Sequence, residues 1–285
     1  MPRQPAMILG LIAACALAGT APPAPAEGSG AGVWKTLEPG LEFGELAAPR
    51  PGAAGDSLIR VLRIDPRRFE LVLLNASAPG EGRKRTAREW ARRHGLLAAI
   101  NASMYQTDQR TSVSLMRTRG HVNNSRLSKD KTILAFDPLD ASAPPVKLID
   151  RECDDFEAWR ARYGTLVQSI RMIACDGRNV WRQQPARWST AAAGVDLRGR
   201  VLFIHVASPY STHDLIEILR DLPLEIRGAM YLEGGPEAQL YFAAGGIERE
   251  LYGNRQAAPG EGGGGAGARP VPNVLGVARR AAGSP

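Results

Sequence analysis

Glu233 closes the apolar run GAMYL and is followed by Gly234, Gly235 and Pro236 before a second apolar run, AQLYF, begins. A carboxylate at a strand tip is held in fixed geometry at the rim of whatever cleft the strand reaches. Small residues beside it let a ligand approach the backbone. Such a carboxylate can act as nucleophile, as base for a water, or as counter-charge to a cationic transition state. LLAAINASMYQTDQR has the same form, an apolar strand ending in Asn101 and leading into a polar loop with Asp108 and Arg110. Polar residues at strand ends are also common turn formers, so each stretch taken singly supports a chemical and a purely structural reading.

Other chemistries lack their motifs. GEGRKRT does not have phosphate-loop spacing, and HExxH, GxSxG and CxxC do not occur. His94, His121, His205 and His213 do not pair at ligand spacing. No metal and no cofactor is therefore expected. An oxygen-only divalent-cation site at Asp108, Asp196 or Glu233 leaves no spacing signature and stays open. The 36 Lys and Arg against 29 Asp and Glu give a net charge of +7. Their densest cluster, GRKRTAREWARRHG, has no interleaved aromatics and reads as a solvated helix face, so no nucleic-acid partner is expected. The excess positive charge suits an anionic substrate or an anionic envelope surface.

Residues 1–26 read as a signal peptide. Arg3 precedes the apolar core AMILGLIAACALAG, and Ala24-Pro25-Ala26 offers a small-x-small cleavage site. The apolar stretch is too short to span a bilayer. A second processing reading takes Ile12-Ala13-Ala14-Cys15 as a lipobox, with Cys15 as a lipidated membrane tether. Periplasmic or extracellular placement follows in either case. Cys153 and Cys175 remain, either as a disulfide suited to an oxidising compartment or as two buried thiols.

The elements that must hold the two strand tips are short. Residues 27–55, rich in Gly, Ala and Pro, read as a flexible arm, and 56–280 as one domain with a Gly-rich loop at 257–269. SLIRVLRID and FELVLLN read as a hairpin around Pro66-Arg67-Arg68. TAREWARRHG is the clearest helix, with Thr86 and Glu89 at capping-box spacing and Gly95 as its stop. DDFEAWRARYG predicts a helix closed by Gly164, and STHDLIEILRDL one opened by Ser211 with Asp214 behind it. Asp176-Gly177 and Arg198-Gly199 mark hairpin turns, and VPNVLGVA returns to a sheet. Many short strands, few helices and no βα alternation predict an α+β domain, a mixed or antiparallel sheet with a few helices packed on it.

In this order the motifs resemble those of the phosphodiester glycosidase family. Asn101, Met104, Tyr105, Asp108 and Arg110 fall on the family's N-A-G-M-Y-x-x-D-x-R pattern, Gln168-Ser169 on its Q-S segment, and LEGGPEAQLY on its closing D-G-G stretch. The resemblance runs from about Leu58 to Val277. The chain departs from the family with Glu233 in place of Asp, with Ser103 in place of Gly, and with Trp188-Ser189-Thr190 where relatives carry an Arg. The resemblance implies an exported hydrolase of sugar-1-phosphodiesters acting on a small-molecule or polymeric glycosyl phosphate. It implies Glu233 as the key carboxylate, and Asn101 as the group orienting substrate or water. Gly234 and Gly235 would leave room for the sugar. Arg110 and Arg171 would contact the phosphate, Gln168 and Ser189 would line the site, and Asp108 would fix Arg110. Two rival readings stay open: a hydrolase of another envelope linkage, and a non-catalytic protein binding an envelope glycan or anionic polymer, with Tyr105 and Trp188 stacked on sugar rings.

Overall fold

The computed structural model describes residues 1, 33–253 and 267–280. The signal region with Cys15, and the Gly-rich loop up to residue 266, lie outside the described residues. Strands β1 (Val33–Glu38) and β2 (Leu41–Ala47) form a hairpin, and β2 continues onto β3 (Leu58–Ile64). Part of the expected arm is therefore sheet. Leu41, Phe43 and Leu46 are buried while Glu42 and Glu45 hold Arg63 and Arg60, a strand pattern diluted in the sequence by the Gly and Pro around it.

After β3 the chain changes sheets. Asp65 accepts from the backbone N–H of Arg67, its backbone carbonyl accepts from the N–H groups of Arg68 and Phe69, and β4 (Phe69–Asn75) pairs elsewhere. The expected hairpin is thus a crossing between sheets. Helix α1 (Ala87–His94) follows with both halves of its capping box made and Gly95 left-handed at φ 62°. Ala87, Trp90 and Ala91, spaced three and four apart, form its buried face. Next come β5 (Ala98–Asn101), the short β6 (Met116–Arg117) and β7 (Val122–Asn124), β8 (Thr132–Pro138) and β9 (Val146–Asp150).

Helix α2 (Phe156–Arg160) ends earlier than the sequence suggests. Gly164 lies inside β10 (Tyr163–Ile173), where a Cβ would collide with the side chains of Asp137 and Arg119. Then follow β11 (Trp188–Asp196), β12 (Val201–Tyr210), α3 (Thr212–Asp221) capped by Ser211, and β13 (Ile226–Gly234). A single 3-10 turn, Gly235–Glu237, leads into β14 (Gln239–Ala244), β15 (Ile247–Tyr252) and finally β16 (Asn273–Arg279).

The larger sheet runs β1-β2-β3-β12-β11-β13-β10-β6-β7, with β8 on β10 and β9 on β8; the smaller runs β15-β14-β5-β16-β4. Every pairing between these strands is antiparallel. Leu62, Phe203, Met230 and Leu232 of the larger sheet pack on Ile100, Leu240, Phe242 and Leu275 of the smaller. α3 covers the outer face of the larger sheet and α1 that of the smaller. The result is an α+β domain of four layers. Cys153 and Cys175 are disulfide-bonded, their Cα atoms 6.5 Å apart, tying the turn after β9 to the turn after β10. Among the described residues no helix is long and apolar enough to cross a membrane.

Candidate active site

Glu233 stands where the chain leaves the larger sheet for the smaller, because β13 and β14 belong to different sheets. A register shift against β11 pairs Ala191 with Glu233 but Ala192 with Tyr231, leaving Leu232 as the extra residue of a bulge. Gly235 turns the chain at φ 64°, a conformation open to glycine. Gly234 has a different reason. A Cβ there would overlap the Tyr231 hydroxyl and come within 3.0 Å of the Trp188 indole, so the room expected for a sugar at this glycine is filled by the protein itself.

The turn is pinned from three sides. The Ala238 carbonyl accepts from the Gly253 N–H at 2.8 Å and from His205 Nε2 at 3.2 Å. Burial pushes the His205 imidazole down to about 4, so it is neutral and donates from Nε2. Asn101, at the end of β5, accepts at Oδ1 from the Gln239 N–H at 3.1 Å, and its Nδ2 has no partner among the described residues. Gln239 in turn accepts from the Ala87 N–H and donates to the Arg269 carbonyl. Arg269 is thereby held beside the turn, and its guanidinium pairs with Glu237 at 3.0 Å.

Glu233 is half-buried, and burial raises its carboxyl. The Gly234 N–H, donating to Oε1 at 3.0 Å, acts the other way, while the nearby Glu237 charge raises it further. The outcome is about 7, which lets Glu233 exchange a proton near neutrality. Burial, then Glu237 and Glu233, push the Tyr105 phenol up to about 12, so it remains an O–H donor. Burial and Glu233 likewise raise the Tyr231 phenol. Two carboxylates, a guanidinium and two phenols therefore share one electrostatic environment. Glu237 follows Glu233 by four residues in EGGPE, a spacing that could have been read from the sequence. Arg269, at the end of a low-complexity stretch, left no such signal.

The other expected site residues fall elsewhere. Gln168 is fully buried, accepts from the N–H groups of Leu115 and Ser128, and donates to the carbonyls of Ser128 and Asp130. It braces loops rather than lining a cleft. Arg171 is bound by both oxygens of Asp150 at 3.0 Å and by Glu152 at 2.7 Å, next to the disulfide. Two acids already pair with its charge, and its Nε has no partner among the described residues. Removing one partner of such a pair strands the other. Arg171→Ala is expected to lower unfolding free energy by about 2 kcal/mol in chemical denaturation.

Asp108 does not hold the Arg110 guanidinium; its oxygens accept from the N–H groups of Arg110 and Thr111 and from the Thr111 hydroxyl. Asp196 accepts from the N–H groups of Arg198 and Arg200 and binds the Arg200 guanidinium, which closes the β11–β12 turn. Ser189 donates to the Ala207 carbonyl, and Gly253 packs against it. Ser103, a residue type that resists a positive φ, nevertheless adopts one, 67°, and donates to Gln168 O and Ser169 Oγ; Ser169 donates to the Tyr231 carbonyl. This hydroxyl pair couples the loop after Asn101 to the strand bearing Glu233. Asp150, Cys153 and Cys175 are the one group of metal-ligand type among the described residues, and the disulfide occupies both sulfurs.

Among solved structures, a hypothetical protein from Synechocystis superposes with a TM-score of 0.57 at 17% identity. The match covers 91% of this chain but 64% of that protein, so the chain spans less than two thirds of its length. The catalytic domain of zebrafish N-acetylglucosamine-1-phosphodiester alpha-N-acetylglucosaminidase superposes with a TM-score of 0.59 at 14% identity, covering 87% of this chain and 82% of that one. These likenesses speak to the fold. No curated protein matches the sequence. Residues 94–278, which include Asn101, Glu233 and Arg269, match the phosphodiester glycosidase family. The chain belongs to the phosphodiester glycosidase family.

Proposed function

We propose that the chain is an exported hydrolase that cleaves a sugar-1-phosphodiester, or a related linkage of an envelope glycan. The observation that carries this reading is Glu233, brought to about 7 beside the Glu237–Arg269 pair at the crossing between the sheets. Water adds to the anomeric carbon, the bond from that carbon to the phosphate oxygen breaks through an oxocarbenium-like transition state, and a phosphomonoester departs. Phosphate leaves without strong acid assistance, so the more valuable group is a base for the water. Glu233 takes that proton, with an affinity matched to neutral pH. The Glu237 carboxylate faces the developing positive charge on the sugar. Arg269 and the Tyr105 hydroxyl hold the phosphate oxygens, where charge accumulates. The Asn101 amide, with Nδ2 unpaired, orients the water or a sugar hydroxyl.

Export to a periplasmic or extracellular setting is supported by the disulfide, which persists in oxidising compartments. The rival reading, a glycan-binding protein on the same fold, draws on Trp188, which stands where relatives carry an Arg. A panel of sugar-1-phosphodiesters, with p-nitrophenyl glycosides as controls, separates the two. The expected result is hydrolysis of at least one phosphodiester, with Arg269→Ala raising KM about tenfold or more. Binding of envelope glycans without any turnover would replace the enzyme reading by the binder.

A further inference from the structure

A cleft of about 420 Å3 opens at the loop that follows Tyr105, lined by Ala76, Arg83, Lys84, Thr107, Asp108 and Arg110 among others. Three of its residues are cations and one is an acid, and that acid accepts from two backbone N–H groups and the Thr111 hydroxyl of its own loop. Arg83 and Arg110 make no ion pair among the described residues, and Lys84 Nζ donates to Gln109 Oε1 across the cleft. Asp108 offsets one of the three cations, which leaves the cleft a concavity of net positive charge.

Its position follows from the sheet. Asn75 ends β4, Asn101 ends β5, Asn273 begins β16 and Gln239 begins β14, so these residues lie along one rim of the smaller sheet, Asn101 and Gln239 on the face that α1 covers and Asn75 and Asn273 on the face toward the larger sheet. The cleft opens just past Asn75, at Ala76, and Glu237 sits just before Gln239. Three strand spacings separate them, about 14 Å, farther than one sugar ring reaches. Asn101 Nδ2 and Asn273 Nδ2, on opposite faces of that rim, have no partner among the described residues. Unpaired buried donors call for acceptors. A hairpin joins the two ends: Tyr105 pairs with Ser112 at its base, near Glu233, and residues 107–110 at its tip line the cleft.

We infer that this cleft is a second phosphate subsite, and that the substrate is a repeating glycosyl phosphate polymer. Resting on the proposed glycosidase reading, the inference places one phosphodiester at Arg269 while the next along the same chain sits between Arg83, Lys84 and Arg110.

The test compares hydrolysis of synthetic glycosyl phosphate oligomers of one, two and four units by the full chain and by Arg83→Glu/Lys84→Glu/Arg110→Glu. In the unsubstituted chain kcat/KM is expected to rise about tenfold or more from one unit to four, and in the variant that rise disappears. A control with the same charge change at the opposite end of β13, Arg178→Glu/Arg198→Glu/Arg227→Glu, keeps it. Equal rates at all lengths, or a preference surviving in the cleft variant, overturns the inference. Cleavage of no oligomer at all would sink the glycosidase reading by itself. The subsite is then decided by calorimetric titration with linear polyphosphate and with inorganic phosphate. Tighter polyphosphate binding that the cleft variant loses and the control retains supports it, and equal binding by both variants overturns it.

Discussion

Glu233→Gln lowers kcat by about 10²–10⁴-fold on any sugar-1-phosphodiester the chain hydrolyses, with little change in KM. The amide keeps the shape of the side chain and its hydrogen bond from the Gly234 N–H can be replaced, but the group no longer accepts a proton from water. The pH profile carries the sign. A base must be deprotonated, so kcat/KM for the parent chain rises as pH passes through about 7, and the residual activity of the variant loses that step. A profile falling above pH 7 would assign Glu233 the acid role instead.

The same substitution has an opposite effect on stability. The folded carboxyl binds its proton at about 7, whereas the unfolded one does so at 4.5. Between those values the folded state holds more protons, so the contribution of Glu233 is full below 4.5 and is lost as pH rises through 7. Above pH 7 the Gln variant is therefore the more stable protein, by about 1–2 kcal/mol once partial solvent exposure is discounted. Denaturant melts at pH 4.5 and pH 8 read this directly, the advantage of the variant growing with pH. Lost turnover together with gained stability is the signature of a residue strained for function.

Breaking the disulfide has the largest expected effect on the fold. Cys153 and Cys175 are separated by 22 residues, a loop whose closure restrains the unfolded chain by about 3 kcal/mol. The paired double variant Cys153→Ser/Cys175→Ser is expected to lose that amount in equilibrium unfolding. Arg171 lies inside that loop and its partners Asp150 and Glu152 lie just before Cys153, so the disulfide and this ion-pair group should couple. A double-mutant cycle with Arg171→Ala is expected to give a non-additive sum, and strict additivity would show the two to be independent. Turnover should fall far less than with Glu233→Gln, because these residues lie toward the opposite end of β13 from the carboxylate.

What the sequence made legible was local. The capping box of Thr86 and Glu89, the stop at Gly95, the turn at Arg198-Gly199 and the strand ends at Asn101 and Glu233 each rest on a few adjacent residues, and the structure has them all. Pairing between distant segments was not legible. Pro66-Arg67-Arg68 looks like a hairpin whether the next strand folds back or crosses to another sheet. Arg171 and Gln168 look like ligands until Asp150 and the Ser128 backbone are placed against them. Arg269 joins the site because β14 and β16 flank β5, a fact no spacing records.

The place of β16 in the smaller sheet has a consequence for when the protein can fold. It lies between β4 and β5, pairing with both, so strands completed by residues 75 and 101 have no direct contact in the ladder until residue 279 has been made. Sheet closure spans most of the chain, and such long-range pairing is slow. A ribosome can release nearly the whole polypeptide while this half remains open. The export proposed above would require a chain that stays unfolded during passage through a membrane channel, and a ladder that closes only when β16 arrives would provide that interval.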